Sequence, residues 1–374
     1  MCIINEDIVE HILDSHPHLW SRDFCRLALV SSHFLHPARK RLYAHPMLLT
    51  YHACHSLART LEENPDLVPL VNELDLFPIY WDPRTCDVEE GVNDYGIYPA
   101  VPRLLALTRL ERISFGGDLA YNAERYLRAI AFPNTVKSLC IQGPDPYESD
   151  GVGCAPLNWD IELSMRFHAL ESLSLTGSLE LDIDDSHNDP DLLSESDGVD
   201  TLPPGCKLKE FYLREVYIEG AICSLLCSPT SWSHVRSLTF STHVCTQSGV
   251  QAFADLLRLV GDSLERLVVH CPNDNEKCDL PVEDPSVHMQ NTPTLRRLVS
   301  LTASHQLIQG TLYPIFSNTE TLTILGNFLG VSRMSQWTEY IKTCGFPKLK
   351  KLDVRGEETR RDLRSRCCMQ GTRD

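Results

Sequence analysis

The chain has 374 residues, of which 43% are hydrophobic and 23% are charged, a composition typical of a folded protein. Its formal net charge of −17 argues against broad binding to nucleic acid or to an anionic membrane, because both need a basic surface. Residues 1–50 carry five basic and five acidic side chains, so the whole charge deficit lies beyond Thr50. The sequence therefore predicts two regions of different character.

The sequence gives no sign of a membrane span or of secretion. No apolar run approaches the roughly 20 residues that a spanning helix needs, and the first residues lack the features of a signal peptide. The 15 cysteines show no framework spacing, which is typical of reduced thiols inside a cell. We therefore expect an intracellular protein, in the cytoplasm, the nucleus or both, with no membrane partner.

Residues 1–50 are predicted to form three short amphipathic helices. Asn5 is a suitable N-cap for the first helix, and the pair His16-Pro17 ends it. Ser21 can cap the second helix, and the third runs from Ser32, with Pro37 expected near its first turn. Because three short helices bury little apolar surface among themselves, we expect part of that surface to contact another chain.

This segment, "INEDIVEHIL" followed by "DFCRLALVSSHFLHPARKRLY", resembles an F-box of the divergent type common in fungal proteins. Asn5 stands where that family prefers proline. The resemblance implies docking onto a Skp-type adaptor and, through it, onto a cullin-based ubiquitin ligase. The adaptor-binding residues that it implies are Ile4, Ile8, Ile12, Leu13, Leu27, Val30 and Phe34. The alternative is that the helices pack on the rest of this chain, which accounts for the apolar stripe equally well.

After a predicted linking helix at residues 51–69, a short pattern recurs: an apolar residue, two others, a leucine-like residue, one other, and an apolar residue. Its ten central residues span 278 positions over nine intervals of 24 to 39 residues, about 31 on average. They are Leu74, Ile113, Leu139, Leu173, Phe211, Leu238, Leu267, Leu298, Leu322 and Leu352. Such a period indicates stacked units of one strand and one return segment.

The repeats resemble the irregular leucine-rich repeats found behind F-boxes. The predicted fold class is α/β (α+β), with a short three-helix F-box-like segment at residues 1–50 followed by an irregular leucine-rich-repeat solenoid at residues 70–355. The spacing is uneven because of insertions, and residues 356–374 form a charged tail that we expect to be frayed.

Alternation along each predicted strand places the neighbours of the central residue on the face opposite the core. We expect this face to bind a target protein, with Tyr212, Arg266, Arg297 and Lys351 as candidate contacts. The three cations indicate an acidic or phosphate-bearing target segment, because arginine makes charge-assisted bidentate contacts with such groups. The alternative is that these charges are solvated and serve solubility.

The sequence offers no catalytic, cofactor or metal motif. It lacks a G-x-S-x-G elbow, a phosphate-binding glycine loop, H-E-x-x-H and a kinase signature. Asp182 and Asp184 lack the glycine and glutamate of a calcium loop, and Cys271 and Cys278 lack a second ligand pair. We therefore expect a non-enzymatic substrate-recruiting subunit of a Skp-cullin-F-box ubiquitin ligase, with no cofactor. The alternative is a repeat scaffold that the N-terminal helices cap.

An acidic insertion is predicted at residues 180–200, where nine acidic residues occur with no basic one. Deleting Asp182 to Asp200 is expected to change the melting temperature by less than about 5 °C, because a surface loop buries little and its closure entropy varies slowly with length. Differential scanning calorimetry of the full chain and the deletion variant measures this. A larger drop would show that the segment is packed.

Overall fold

The computed structural model describes residues 6–16, 21–78, 98–144, 155–157, 159, 161–177, 179–181, 207–214, 232–241, 253, 256–270, 295–304, 316, 318–325 and 346–355. The chain divides into two compact units. The first consists of Met1–Leu157 and Glu162–Leu170, and the second of Asn158–Ile161 and Glu171–Asp374.

The first unit contains helices and four parallel strands. The helices are α1 (Glu6–Asp14), α2 (Ser21–Ala28), α3 (Ser32–Ala44), α4 (Tyr51–Glu63), α5 (Ala100–Leu107), α6 (Ala123–Ala129) and α7 (Ile161–Arg166), with 3-10 turns at Pro65–Leu70, Gly117–Asn122 and Pro133–Thr135. The strands are β1 (Met47–Leu48), β2 (Glu73–Leu76), β3 (Arg112–Phe115) and β4 (Ser138–Gln142), paired in that order, and a short strand β5 (Ala155–Leu157) follows.

The second unit contains seven parallel strands in chain order. They are β6 (Ser172–Thr176), β8 (Glu210–Arg214), β9 (Ser237–Ser241), β10 (Arg266–His270), β11 (Ser300–Ser304), β12 (Thr321–Leu325) and β13 (Lys351–Arg355), with a short strand β7 (Leu179–Leu181) between the first two in sequence. Each neighbouring pair is parallel and joined by a long connection, which is the one-strand-per-repeat arrangement of a leucine-rich-repeat solenoid. The predicted α/β solenoid fold class is confirmed.

The predicted N-terminal and linking helices are present. Helix α1 ends at Asp14, before His16, and α3 begins at Ser32. Pro37 lies in the second turn of α3 rather than the first, where its ring is buried. Helix α4 is capped by Thr50, whose side-chain oxygen accepts a 3.1 Å hydrogen bond from the backbone N–H of Ala53, and the apolar face of the helix is buried.

Strand β1 was not anticipated from the sequence. It follows α3 directly and pairs with β2, placing Met47 beside Asp75 and Leu48 beside Leu76. Backbone hydrogen bonds from Asp75 to Pro46 (3.1 Å) and from Phe77 to Leu48 (2.9 Å) hold it there. Because β1 has only two residues, no alternation could reveal it.

The core consists of two apolar rows that run across the strands. In the second unit the central row aligns Leu173, Phe211, Leu238, Leu267, Leu301, Leu322 and Leu352. The row two residues later aligns Leu175, Leu213, Phe240, Val269, Ala303, Ile324 and Val354. The residues between these rows are mostly half-buried, which confirms that alternation separates a core face from an outward face.

For one repeat, the sequence pattern predicts a central residue three positions too early. Leu301, and not Leu298, aligns with Leu267 and Leu322. The physical reason is a turn that precedes most strands, in which the first apolar residue of the repeat donates its N–H to a carbonyl three residues back, as Leu349 does to Phe346 (3.1 Å). In this repeat Leu298 is the donor and Leu295 the acceptor of that turn. Because both are leucines, they resemble the first and central residues of a repeat, while the small Ala303 weakens the true pattern.

A charged row lies just before the strands of the second unit. Its members are the charged residues Glu171, Lys209, Arg236, Glu265, Glu320 and Lys350 and the apolar Val299, and each backbone carbonyl before that of Lys350 accepts hydrogen bonds from the next repeat. Lysine and glutamate pair across neighbours at 2.8 Å in Lys209–Glu171 and in Lys350–Glu320. These surface pairs contribute little stability individually, but each favours the strand register in which its two residues are neighbours.

The equivalent leucines of β12 and β13 provide a matched test of core packing. Leu322 is fully buried, whereas Leu352, its neighbour in register, is 40% exposed. Leu322→Ala is expected to cost about 2–5 kcal/mol of unfolding free energy because it leaves a cavity, and Leu352→Ala under about 1 kcal/mol. Urea unfolding of dilute protein measures both, and equal losses would contradict the assigned difference in packing.

Candidate functional site

The first candidate surface lies on the N-terminal helices. We define the N-terminal apolar surface as Ile8, Ile12, Leu29 and Val30, whose exposed fractions are 51%, 40%, 87% and 67%. Helix α1 carries two adjacent apolar stripes, each made of two residues four positions apart. Val9 and Leu13 are buried as α1 packs on α3, while Ile8 and Ile12 are exposed. Among its described neighbours, nothing in the chain covers this second stripe.

Ion pairs hold the helices that present this surface. Lys40 on α3 pairs with Glu10 on α1 at 3.0 Å, and Arg41 pairs with Asp14. All four side chains are substantially exposed, so these pairs orient α1 rather than contribute much free energy. The exposed apolar stripe is thus presented by a helix that is paired with α3 at its middle and at its C-terminal end.

The implied adaptor-binding residues divide into three groups. Ile8, Ile12 and Val30 are exposed, Leu27 and Phe34 are half-buried, and Leu13 is buried on the side of α1 that packs on α3. Ile4 lies outside the described residues. Leu29, which is the most exposed large apolar residue of the segment, was not in the predicted set, although it stands next to Val30 in the resemblance.

A polar network joins the helical segment to the first repeats. His45 follows α3, and its Nε2 donates a 2.6 Å hydrogen bond to Asp75 on β2. Arg112 on β3 lies 2.8 Å from the same imidazole nitrogen and pairs with Glu73 at 2.5 Å. The parallel register places Glu73 beside Arg112 and Asp75 beside Ser114 on the outward face. Three separated sequence positions therefore meet at one point.

The network ionises Asp75 in the folded chain. Burial alone raises the pKa of this carboxyl, but hydrogen bonds from His45 and Ser114 and the positive charges of His45 and Arg112 outweigh it. The pKa of Asp75 is therefore lower than its usual value. Two carboxylates, one guanidinium and one imidazole thus lie together here, so the outward side of β2 and β3 is occupied by its own side chains.

The second candidate surface is the outward face of the strands in the second unit. In one row across them, Arg266 aligns with Ser300, Thr321 and Lys351. Neighbouring strands lie about 4.8 Å apart, so Arg266 and Lys351 are about 14 Å apart along the sheet. The residues between these two cations carry small hydroxyl side chains.

Arg266 already has a partner on this face. Its Nη2 donates to Glu210 Oε1 at 3.4 Å, across the serine of the intervening strand β9. Tyr212 donates to the other carboxylate oxygen of Glu210 at 3.3 Å. Both oxygens of Glu210 are engaged, so an acidic ligand at Arg266 has to compete with this carboxylate.

Arg297 does not belong to the outward row. Strand β11 begins at Ser300, and it is Ser300 that aligns with Arg266, whereas Arg297 lies exposed in the turn before the strand. The correction follows from the shifted register of this repeat. Tyr212, Arg266 and Lys351 lie on the outward face of their strands, as predicted. The three predicted cations nevertheless do not form one cluster, because Arg297 lies outside this face.

The described residues contain no group of three or more metal-binding side chains. None of the helices described here combines the length and apolarity needed to cross a bilayer. Asp182, Asp184, Cys271 and Cys278, the acidic insertion from residue 182 onward and the tail after residue 355 lie outside the described residues.

Comparison with known proteins gives structural similarity but no family. No protein-family model matches the chain, and no curated protein matches it. Among solved structures, it is similar to the leucine-rich repeat-containing protein LegL7 from Legionella pneumophila, with 14% identity and a TM-score of 0.42 over 84% of this chain and 91% of that one. The leucine-rich-repeat character of this chain follows from its own strand register.

The Asp75 network makes stability depend on pH. Because the pKa of Asp75 is lower in the folded chain than in the unfolded chain, its stabilising contribution is fully present above about pH 4 and is lost as the pH falls through the folded-state value. Asp75→Asn is therefore expected to lower the melting temperature at neutral pH and to flatten its decline in acid. Asp66→Asn, at an exposed carboxyl, is the matched control and should leave both unchanged. Parallel acid profiles for the Asp75 variant and the unaltered chain would contradict this role.

Proposed function

We propose that this protein is a substrate-recruiting subunit of a Skp-cullin-F-box ubiquitin ligase of the fungal type. The N-terminal helices dock on a Skp-type adaptor, and the repeat array holds a target protein on its outward strand face. No residue of the chain performs the transfer of ubiquitin. Its contribution is proximity, because a held target presents its lysines to the ubiquitin-loaded enzyme.

The observation that carries the proposal is the exposed N-terminal apolar surface. A helix that only caps the array has no reason to direct Ile8 and Ile12 away from it while Val9 and Leu13 are buried. Exposed apolar side chains grouped on neighbouring elements are typical of a surface that another protein covers. The order of these residues in the sequence is also the order in which an F-box places its adaptor contacts.

A non-catalytic repeat scaffold is the second candidate function, and a different observation favours it. Strand β1 and the His45 network attach the end of α3 to the first repeat, as a cap would be attached. A capping function explains why α3 and β1 are attached to the first repeat. It leaves the exposed stripe of α1 without a role, so we rank the scaffold function second.

The adaptor interaction can be tested with variants that leave the fold intact. Ile8→Asp and Val30→Asp place a charge on exposed side chains, where the free protein tolerates it and an apolar interface does not. Each is expected to weaken adaptor binding at least about thirtyfold, equivalent to about 2 kcal/mol. Surface plasmon resonance with an immobilised Skp-type adaptor measures the affinity.

The matched control is Met165→Asp, an exposed apolar residue on α7 of the same unit, which should bind as the unaltered chain does. If the unaltered protein does not bind a Skp-type adaptor, the ligase proposal fails and the scaffold function takes its place. If binding occurs but all three variants bind equally well, the interface lies elsewhere on the chain.

A further inference from the structure

The last strand of the second unit leaves core positions exposed. On β12, Leu322 and Ile324 are fully buried, as is Thr319 before the strand. At the same register on β13, Leu352 is exposed and Val354 is half-buried, and Leu349 before the strand is half-buried as well. The strand residues compared are aliphatic in both strands, and among the described strands β13 has a neighbour on one side only, so we attribute the difference to that one-sided pairing and not to the sequence of β13.

The backbone of β13 is open on the same side. Among the described strands, β13 pairs only with β12, so its other edge presents N–H and C=O groups to any strand that can reach them. The terminal strand of the first unit differs. There α4 packs against β1 and Leu48 is buried. Repeat arrays need such terminal caps because an uncovered end exposes the core.

We propose that a second copy of this chain covers the open edge, through antiparallel pairing of β13 with β13 about a two-fold axis. An antiparallel pair of identical strands is self-complementary, so one patch serves both copies. With Leu352 on the axis, Leu352 of one copy lies opposite Leu352 of the other. Lys351 of each copy then lies opposite Asp353 of the other, which gives two pairs of opposite charge.

The charge pattern of β13 selects this register. Centring the pair on Asp353 places two aspartates opposite each other and sets Lys351 against Arg355, so like charges meet at three places. Centring the pair on Val354 pairs only residues 353–355 of the strand with the same residues of the other copy, and Leu352 then lies outside the paired segment. Only the pairing centred on Leu352 covers the exposed core residue and matches every charged pair within the strand.

In the proposed dimer, apolar residues meet on the core side of the sheet and charged residues meet on the outward side. Residues directly opposite in an antiparallel pair lie on the same side of the sheet, so the two copies of Leu352 meet on the core side. The lysine–aspartate pairs lie on the outward side, where Asp353 already accepts a 2.9 Å hydrogen bond from Arg355 of its own strand. The outward faces of the two second units thereby become one continuous strand surface. The proposal does not depend on the ligase function.

Sedimentation velocity of the full chain over a concentration series tests the proposal. The unaltered protein is expected to form a dimer at micromolar concentrations. Leu352→Lys places two like charges on the axis and should give a monomer. The matched control is Val299→Lys, which adds the same charge at an exposed apolar residue away from β13 and should leave the dimer intact.

Charge reversal tests the register itself and does not depend on one disruptive variant. Lys351→Asp is expected to raise the dissociation constant at least about tenfold, because each introduced aspartate faces Asp353 of the other copy. Asp353→Lys should do the same, and the double reversal should restore the dimer. A protein that is monomeric at every concentration overturns the proposal. So does a dimer that survives Leu352→Lys, or one that the double reversal fails to restore.

Discussion

Each strand of the array can bury its leucines only because a neighbour lies beside it in register. A single five-residue strand such as Ser172–Thr176 has one apolar face and no means of covering it. Parallel pairing sets Leu173 beside Phe211 and Leu175 beside Leu213, and the same step repeats along the unit. The stability of any one repeat is therefore mostly a property of its interfaces, as expected for quasi-one-dimensional folds.

The N-terminal helices are connected to this system through backbone and side chains together. Strand β1 extends the parallel ladder by one short step, and His45 reaches from the end of α3 to carboxylates on β2. The helical segment is consequently held against the first repeat rather than tethered by a flexible linker. For a recruiting subunit, such a connection fixes the distance and direction between the helices and the first strands, which favours reproducible presentation of a bound target.

Much of the fold follows from the sequence because its signals are local and repeated. Period-2 alternation placed the strands and their faces, and stop signals such as His16-Pro17 placed the helix ends. The failures have identifiable causes. Strand β1 is too short to alternate, and Ala303 is too small to complete the apolar pattern of its repeat, so the pattern indicates Leu298 instead of Leu301.

The candidate site was less predictable than the fold. The sequence indicated which N-terminal residues are apolar, but the division of α1 into a buried and an exposed stripe depends on how it packs against α3. The His45 network could not be foreseen, because it joins His45, Asp75 and Arg112 across a register known only from the folded chain. Likewise, the proximity of Glu210 to Arg266 spans two strands and leaves no trace in spacing.

The charged row before the strands has a consequence for how the array could change in evolution. Ion pairs join neighbouring repeats at three places along this row, Glu171–Lys209, Arg236–Glu265 and Glu320–Lys350, so the loss of one of these repeats would separate an ion pair. Val299 is the one uncharged member of this row, and it lies between Glu265 and Glu320. From Leu301, just after it, to Leu322 the interval is 21 residues, shorter than the 34 residues from Leu267 to Leu301. Because Val299 forms no ion pair with either neighbouring repeat, a repeat can be gained, lost or shortened here without separating an ion pair of the row.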